Sequence, residues 1–182
     1  MKTRIVLILC LIILATSTTA FAVENTKVIP GLGTLILPTN IREIPYQLLP
    51  TKHAFSGFTL LANDNSILRS NNIVFLPGPT PDRKGLKADI IYLTTTFNLF
   101  NKSLIDSGAS ILNSTPINIS AIDNEQLAVY SVRTLRFGMV VRMSFYILDG
   151  SDGLIAMLTI HADGDINYWL PKTEKMIADI KR

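Results

Sequence analysis

The stretch from Met139 to His161 constrains the fold more than any other part of this chain. Apolar residues occupy every second position from Met139 to Ile147, which is the period of a half-buried β-strand. The turn sequence Asp149-Gly150-Ser151-Asp152-Gly153 follows, and after it comes the almost wholly apolar run Leu154–His161. Two β-prone runs joined by Asp and Gly residues are typical of a hairpin. The sequence therefore predicts an antiparallel β-hairpin here.

The register of that hairpin follows from the same alternation. If Phe145 faces Leu158, the apolar side chains of both strands lie together on one face of the sheet. A shift by one residue would mix apolar and polar side chains on both faces. Burial favours the first register, which leaves a second, mostly polar face. On that face the register places five side chains: Arg142, Ser144, Tyr146, Thr159 and His161.

Shorter strands are predicted in the rest of the chain, where Pro, Gly and Asn separate the β-prone runs. The candidates are Thr34–Leu37, Phe55–Ala62, Asn72–Leu76 and Gln126–Leu135, with Asn113–Ala121 as a further strand that Pro116 places at an edge.

A mid-chain helix is predicted over Phe97–Ser107, where apolar residues recur at helical spacing. Thr96 is suited to cap its beginning, and Gly108 to end it in the left-handed conformation. Ile90–Leu93 immediately before it is apolar and β-prone, so the alternative is a Thr-rich strand that runs on to Leu99.

A second helix is predicted at the C-terminus, from Trp169 to Ile180, with Pro171 in its first turn. Its apolar side is expected to pack on the apolar face of the sheet. The predicted fold class is therefore α+β: an antiparallel β-sheet meander with a mid-chain helix and a C-terminal helix packed on one face. Residues 23–182 form a single domain in this prediction, with a Pro-rich loop at 77–87.

Residues 1–22 have the organisation of a cleaved secretory signal peptide. Lys2 and Arg4 precede ten apolar residues, Ile5–Leu14, and a small-residue stretch ends in Ala20-Phe21-Ala22. A bilayer-spanning helix needs about 20 apolar residues. We therefore expect a secreted or periplasmic protein with no transmembrane anchor after cleavage; an uncleaved membrane helix is the alternative.

Removal of residues 1–22 changes the composition that matters. The only cysteine, Cys10, is lost, and 15 Lys and Arg residues remain against 14 Asp and Glu residues. A cysteine-free chain has no disulfides, so its stability depends on a hydrophobic core. Because the net charge is small and no Lys/Arg cluster is present, nucleic acid is not an expected partner.

The order of the predicted elements resembles the PsbP-like fold, the family of extrinsic photosystem subunits and their bacterial relatives. The matching elements are an opening strand at Gly33–Pro38, the helix at Phe97–Ser107, the meander Gln126–His161 and the closing helix. This resemblance implies an exported or lumenal accessory protein and not an enzyme. It carries over no binding residues, and no cofactor is expected.

The densest set of potential metal ligands is His161, Asp163 and Asp165. An imidazole and two carboxylates suit zinc or another divalent ion, and they suggest a small secreted, metal-assisted hydrolase as the alternative function. The favoured interpretation is plainer: a strand-ending histidine followed by an Asp-Gly turn, with no metal site.

The polar sheet face is the other candidate site. Arg142, Tyr146, Thr159 and His161 would together suit an anionic ligand or a partner protein, since Arg and Tyr are enriched in interfaces. The alternative is a face that is solvated or covered by the N-terminal segments. The predicted function is an exported, non-catalytic accessory protein that contacts a partner protein or an envelope component through this face or the Pro-rich loop.

Overall fold

An antiparallel sheet with a helix on each face organises the chain. The computed structural model describes residues 25–38, 41–43, 54–62, 69–78, 90–122 and 125–182. The predicted signal peptide, residues 1–22, and residues 79–87 of the predicted Pro-rich loop lie outside these ranges. No helix in the described ranges is long and apolar enough to cross a membrane.

Ten strands and two helices are found in the described part of the chain. The strands are β1 (Asn25–Ile29), β2 (Gly33–Leu37), β3 (Ile41–Glu43), β4 (Ser56–Leu61), β5 (Ser70–Pro77), β6 (Ser110–Ser114), β7 (Asn118–Ile122), β8 (Glu125–Arg136), β9 (Met139–Gly150) and β10 (Gly153–Ala162); the helices are α1 (Ile90–Asp106) and α2 (Ile166–Ala178). A 3-10 turn, Asp163–Asp165, joins β10 to α2.

The main sheet has the order β3-β4-β5-β10-β9-β8-β6, and β7 also pairs with β8. Every pairing in it is antiparallel. The single strand predicted at Asn113–Ala121 is divided near Pro116 into β6 and β7. Both of them pair with the same side of β8. β1 and β2 form a separate hairpin. The prediction of an antiparallel α+β fold is confirmed.

The predicted register of the central hairpin is confirmed as well. Phe145 pairs with Leu158, and Arg142 pairs with His161. The turn between the strands contains only Ser151 and Asp152, since Gly150 pairs with Gly153. The five residues predicted to share the polar face therefore do share one face of the sheet.

Helix α1 begins earlier than predicted. Ile90–Leu93 forms its first turn and is not a strand, and Thr96 lies inside the helix and does not cap it. Leu93, Phe97 and Leu104 lie on the buried side of α1, so packing along one helix face outweighs the local β-propensity of the first residues. The prediction for Gly108 is correct: its φ is +86°, and it follows the end of the helix.

The two helices lie on opposite faces of the sheet. Phe97 of α1 stacks on Tyr130 with 4.4 Å between ring centroids, and Phe100 meets Phe145 edge-on at 4.7 Å, so α1 covers the apolar face. Ile166 and Leu170 of α2 border the same groove as Arg142, Ser144 and Tyr146. The prediction that the C-terminal helix packs on the apolar face was therefore wrong.

Helix α2 also starts before the predicted Trp169, so Pro171 lies within the helix and not in its first turn. The chain end after α2 is fixed to the β1–β2 hairpin. The backbone N–H of Thr34 donates to Lys181 O at 2.8 Å, and Lys181 N–H donates to Thr34 O at 2.9 Å. Gly33 permits this approach, because a Cβ there would lie 2.6 Å from Lys181 O.

The turn between β8 and β9 carries an unfavourable residue, and this gives a test of the fold. Phe137 has a φ of +49° and precedes Gly138 at +76°, so both turn residues are left-handed, as in a type I′ turn. Phe137 is 89% exposed. Asn adopts this backbone conformation more readily than other L-residues, so we expect Phe137→Asn to raise the free energy of unfolding by about 1 kcal/mol in urea denaturation.

Phe137→Ala is the matched control, because it removes the same ring but keeps an ordinary side chain at a positive φ. It should leave the free energy of unfolding within about 0.5 kcal/mol of the wild-type value. Equal stability of the Asn and Ala variants would contradict the proposed strain.

Candidate functional site

The four residues predicted to form a binding surface lie beneath α2. Arg142 and Tyr146 come from β9, and Thr159 and His161 come from β10, on the same face. Tyr146, Thr159 and His161 are buried, whereas the Arg142 side chain is 21% exposed. Four buried or half-buried side chains under a helix do not form an open sheet surface. Only the part of this face that α2 leaves uncovered is accessible.

Hydrogen bonds make the burial of this polar face possible. The hydroxyls of Ser131 and Ser144 lie 2.7 Å apart across β8 and β9. The Thr159 hydroxyl donates to the Ser144 carbonyl at 3.4 Å. Buried polar groups with partners avoid most of the cost of leaving water. The polar face is therefore part of the core beneath α2.

The phenol of Tyr146 is kept neutral by its surroundings. Burial raises its pKa to about 12, and the nearby carboxylate of Glu174 on α2 acts in the same direction. Burial disfavours the charged phenolate, and a neighbouring negative charge adds to that effect. Tyr146 is therefore a neutral hydrogen-bonding group at physiological pH.

Asp163 binds two arginines at the end of β10. Arg133 and Arg142 pair directly across β8 and β9, so their like charges lie side by side. Arg133 donates to Oδ2 of Asp163 through Nε at 2.9 Å and Nη2 at 2.7 Å, and Arg142 donates to Oδ1 through Nε and Nη2, both at 2.9 Å. We call this group the Asp163 clamp.

The clamp determines the ionisation of Asp163. Partial burial alone would raise the pKa of this carboxyl, but the hydrogen bonds and charges of Arg133 and Arg142 outweigh burial and hold the pKa below its usual range. The carboxylate is therefore charged at neutral pH, and it offsets the repulsion between the two arginines.

The three residues of the alternative metal-site interpretation, His161, Asp163 and Asp165, make other contacts. Asp163 belongs to the clamp, and Asp165 pairs with Arg69 at 3.3 Å. His161 Nδ1 lies 2.8 Å from the Ala162 carbonyl, and burial, together with the charge of Arg142, lowers the pKa of this imidazole. Within the described ranges, no three His, Cys, Asp or Glu side chains converge as a metal site would require. The geometry thus gives a metal-assisted hydrolase no ligand set in this part of the chain.

A groove of about 310 Å³ lies where α2 leaves the sheet uncovered. We call it the α2 groove; its lining comes from α2, β7, β8, β9 and the segment before β7. The aliphatic side chains of Ile122, Val129 and Leu170 line it, together with the polar side chains of Arg142, Tyr146 and Glu174. Arg142 and Tyr146 thus belong to an accessible site, whereas Thr159 and His161 are not among its lining residues.

Glu174 and Leu170 are site residues that the sequence pattern did not indicate. Both lie on α2, which was expected to pack on the other face of the sheet. The four-residue spacing of Leu170 and Glu174 does place them on one side of a helix, next to each other. That spacing was the available signal, but it becomes informative only when the helix is assigned to the correct face.

A second groove, of about 370 Å³, lies on the opposite face of the sheet, between α1 and the link from β6 to β7. We call it the α1 groove. Asn98 and Asn101 of α1, Ile117 and Tyr130 line it, and the Asn101 amide donates to the Tyr130 hydroxyl. Thr115 and Pro116 border both grooves. The two grooves therefore meet at one edge of the sheet.

A third groove, also of about 370 Å³, lies near the β9–β10 turn. Its lining is mostly apolar and includes Phe55, Leu154 and Ile155. None of the predicted site residues reaches it. The α2 groove is the better candidate site, because an arginine, a glutamate and a phenol line it together with aliphatic side chains.

The Asp163 clamp gives a pH-dependent prediction. The pKa of the Asp163 carboxyl is lower in the folded chain than in the unfolded chain. Such a carboxyl stabilises the fold at any pH above its pKa in the unfolded chain. This stabilisation is lost as the pH falls through its pKa in the folded chain. We expect Asp163→Asn to lower the free energy of unfolding by about 1–3 kcal/mol at pH 7. The difference from wild type should shrink below a pH of about 4 in denaturation measured across pH.

Asp106→Asn, which changes an exposed carboxylate at the end of α1, is the matched control. A deficit of the Asp163 variant that stays constant from neutral to acidic pH would show that the clamp does not depend on the charge of Asp163.

Comparison with known proteins identifies the fold through one solved structure and shows nothing narrower. No family model matches this sequence, and no curated protein matches it. The solution structure of cyanobacterial PsbP (CyanoP) from Synechocystis sp. PCC 6803 aligns over 90% of this chain and 95% of its own length, with a TM-score of 0.56 and 11% identity.

Two further solved structures align less closely. LpqN, described as involved in cell envelope biogenesis of Mycobacterium tuberculosis, aligns over 83% of each chain with a TM-score of 0.44 and 12% identity. A Pseudomonas aeruginosa protein of unknown function aligns over 86% of this chain and 95% of its own, with a TM-score of 0.41 and 8% identity. The match to CyanoP shows that this chain has the PsbP-like fold.

Proposed function

We propose that this chain is an exported, non-catalytic accessory protein that binds a partner protein of the cell envelope through the α2 groove. The observation that carries the proposal is the composition of that groove. Arg142, Tyr146 and Glu174 converge there on the aliphatic side chains of Val129 and Leu170. Its volume of about 310 Å³ is at the lower end of the range for ligand sites.

The groove residues are suited to protein recognition because they are already ordered. The Asp163 clamp holds Arg142 in place, and burial holds Tyr146. Side chains that are fixed before binding lose little conformational entropy in a complex. Arg and Tyr are also the residue types that contribute most often to binding hot spots. The groove therefore offers a charged and aromatic anchor point with a low ordering cost.

The absence of a catalytic role is inferred from the contacts of the candidate residues. His161 is buried beside the Ala162 carbonyl, and Asp163 and Asp165 are each paired with arginines. A general base must reach the proton that it removes. These contacts support a structural role for the cluster, and the PsbP-like fold agrees with an accessory function.

Cross-linking in the native host tests the proposed partner. A photoreactive amino acid at Leu170, in the α2 groove, is expected to yield one discrete adduct with an envelope protein that mass spectrometry identifies. Leu99, which is 64% exposed on α1, is the matched control position and should not yield that adduct.

With the purified partner, Glu174→Gln should weaken binding about tenfold, because it removes one charge from the groove.

Asp152→Asn changes an exposed carboxylate at the distant β9–β10 turn, and binding by this variant should be unchanged. The proposal fails if Leu170 and Leu99 give the same adducts, or if neither gives one. It also fails if Glu174→Gln and Asp152→Asn bind the partner equally.

Export itself is tested on the protein recovered from its host. Cleavage after Ala20-Phe21-Ala22 would make Val23 the first residue of the mature chain. Mass spectrometry of the intact protein from the extracytoplasmic fraction is expected to give the mass of residues 23–182. Recovery of the full-length chain with the membrane fraction would instead support the uncleaved membrane helix.

A further inference from the structure

The outer edge of β7 presents backbone groups that β8 does not use. Ile122 pairs with Glu125 at the closed end of the β7–β8 hairpin, so these two residues exchange both of their backbone hydrogen bonds. In an antiparallel pair, hydrogen-bonded and non-hydrogen-bonded residues alternate. Ile119 and Ala121 therefore direct their N–H and C=O groups away from β8. In the described part of the chain, β7 pairs with β8 alone.

This edge lacks the features that usually prevent another strand from pairing. Proteins protect sheet edges with charged side chains, prolines or bulges. No charged residue occurs anywhere in residues 110–122. The register irregularity between Ile111 and Asn113 lies in β6, and Pro116 lies between the strands. In the described part of the chain, β7 itself, Asn118–Ile122, therefore carries no charged side chain, no proline and no bulge.

The two grooves flank this same edge, one on each face of the sheet. Asn118, Ser120 and Ile122 of β7 line the α2 groove. Ile117, which directly precedes β7, lines the α1 groove on the other face. Successive side chains of a strand point to opposite faces. A strand added beside β7 would therefore direct its side chains alternately towards the two grooves.

We propose that the partner binds by strand addition: an extended, uncharged segment of the partner pairs with β7 through Ile119 and Ala121. In this mode of recognition, backbone hydrogen bonds hold the peptide and side-chain pockets select it. This inference rests on the proposed function and specifies how the partner occupies the site. The uncharged edge favours an uncharged segment along β7, since a charged side chain there would find no opposite charge on residues 110–122. Arg142 and Glu174, across the α2 groove, are left to contact a polar part of the partner outside that segment.

The two grooves differ in chemistry and would select different side chains. Asn98, Asn101 and the Tyr130 hydroxyl give the α1 groove neutral hydrogen-bonding groups, which suit small polar side chains such as Ser, Thr or Asn. The α2 groove has the aliphatic walls of Val129 and Leu170. We therefore expect a segment in which small polar and aliphatic residues alternate.

A displayed library of random dodecapeptides is the probe. Binders selected on the mature chain are synthesised, and their affinities are measured by calorimetry. Ile119→Pro removes the N–H that points outwards and should weaken binding about tenfold or more. Ile119→Ala is the matched control, because it shortens the same side chain and keeps the N–H; its affinity should stay within about threefold of wild type. The selected sequences should alternate between polar and aliphatic residues.

Hydrogen exchange on the wild-type protein gives a second measurement that does not depend on the folding of a variant. The amides of Ile119 and Ala121 should exchange rapidly in the free protein and become protected when the selected peptide is added. The inference is overturned if no peptide is selected, if the peptides bind Ile119→Pro as well as wild type, or if these two amides stay unprotected in the complex.

The cross-linked partner separates this inference from the proposed function. Loss of partner binding with both Glu174→Gln and Ile119→Pro supports both. Loss with Glu174→Gln alone leaves the proposed function standing and refutes strand addition. Unchanged binding in both variants refutes both.

Discussion

The register between β9 and β10 determines which side chains meet each helix. Because Phe145 faces Leu158, its ring lies with that of Tyr130 on the face that α1 covers, where both contact Phe97. The same register brings Ser144 opposite Thr159 and Arg142 opposite His161 on the other face. A shift of one residue would turn the side chains of one strand to the opposite face relative to the other strand, so each face would mix apolar and polar residues. The core, the Asp163 clamp and the α2 groove all depend on this pairing.

Helix α2 covers the polar face because neighbouring strands add apolar side chains to that face, and α2 packs against them. Pairing of β10 with β5 places Ile73 beside Thr159 and Phe75 beside Met157 on this face, and all four are buried. Trp169, Met176 and Ile177 of α2 are buried as well. Apolar burial of this extent stabilises α2 on the sheet, while hydrogen bonds satisfy Ser144 and Thr159 beneath it. The clamp lies at the margin, where Arg142 retains contact with water.

This arrangement explains which parts of the structure the sequence predicts. The register of β9 and β10 is readable because both strands are long, adjacent in the chain and clearly alternating. The sequence does not predict in the same way which face α2 covers. That choice depends on the pairing of β10 with β5, and β5 lies some eighty residues earlier in the chain. Judged from β9 alone, the face with Arg142 and Ser144 looks solvated. The early start of α1 was missed for a related reason: Leu93 is buried by tertiary packing, which local propensity does not report.

The candidate site combines a predicted part with an unpredicted one. Arg142 and Tyr146 are predictable because the hairpin register places them together on the polar face. Glu174 and Leu170 become their neighbours only through the placement of α2.

The link between β6 and β7 lines both grooves through Thr115 and Pro116, and it leads directly into the open edge of β7. Thr115 donates its N–H to Ser131 O at 2.8 Å, and its hydroxyl accepts the Ser131 N–H at 2.9 Å. These bonds fix the link to β8 at the residue whose hydroxyl pairs with Ser144. Pro116 has no N–H to continue the ladder, so β6 and β7 remain separate short strands along β8. The two grooves open on opposite faces of the sheet beside Thr115 and Pro116. Ser131, which holds this edge in place, lies in the α2 groove beside Arg142 and Tyr146. A strand added at the edge would therefore pack against hydrogen-bonded sheet and not against a loop.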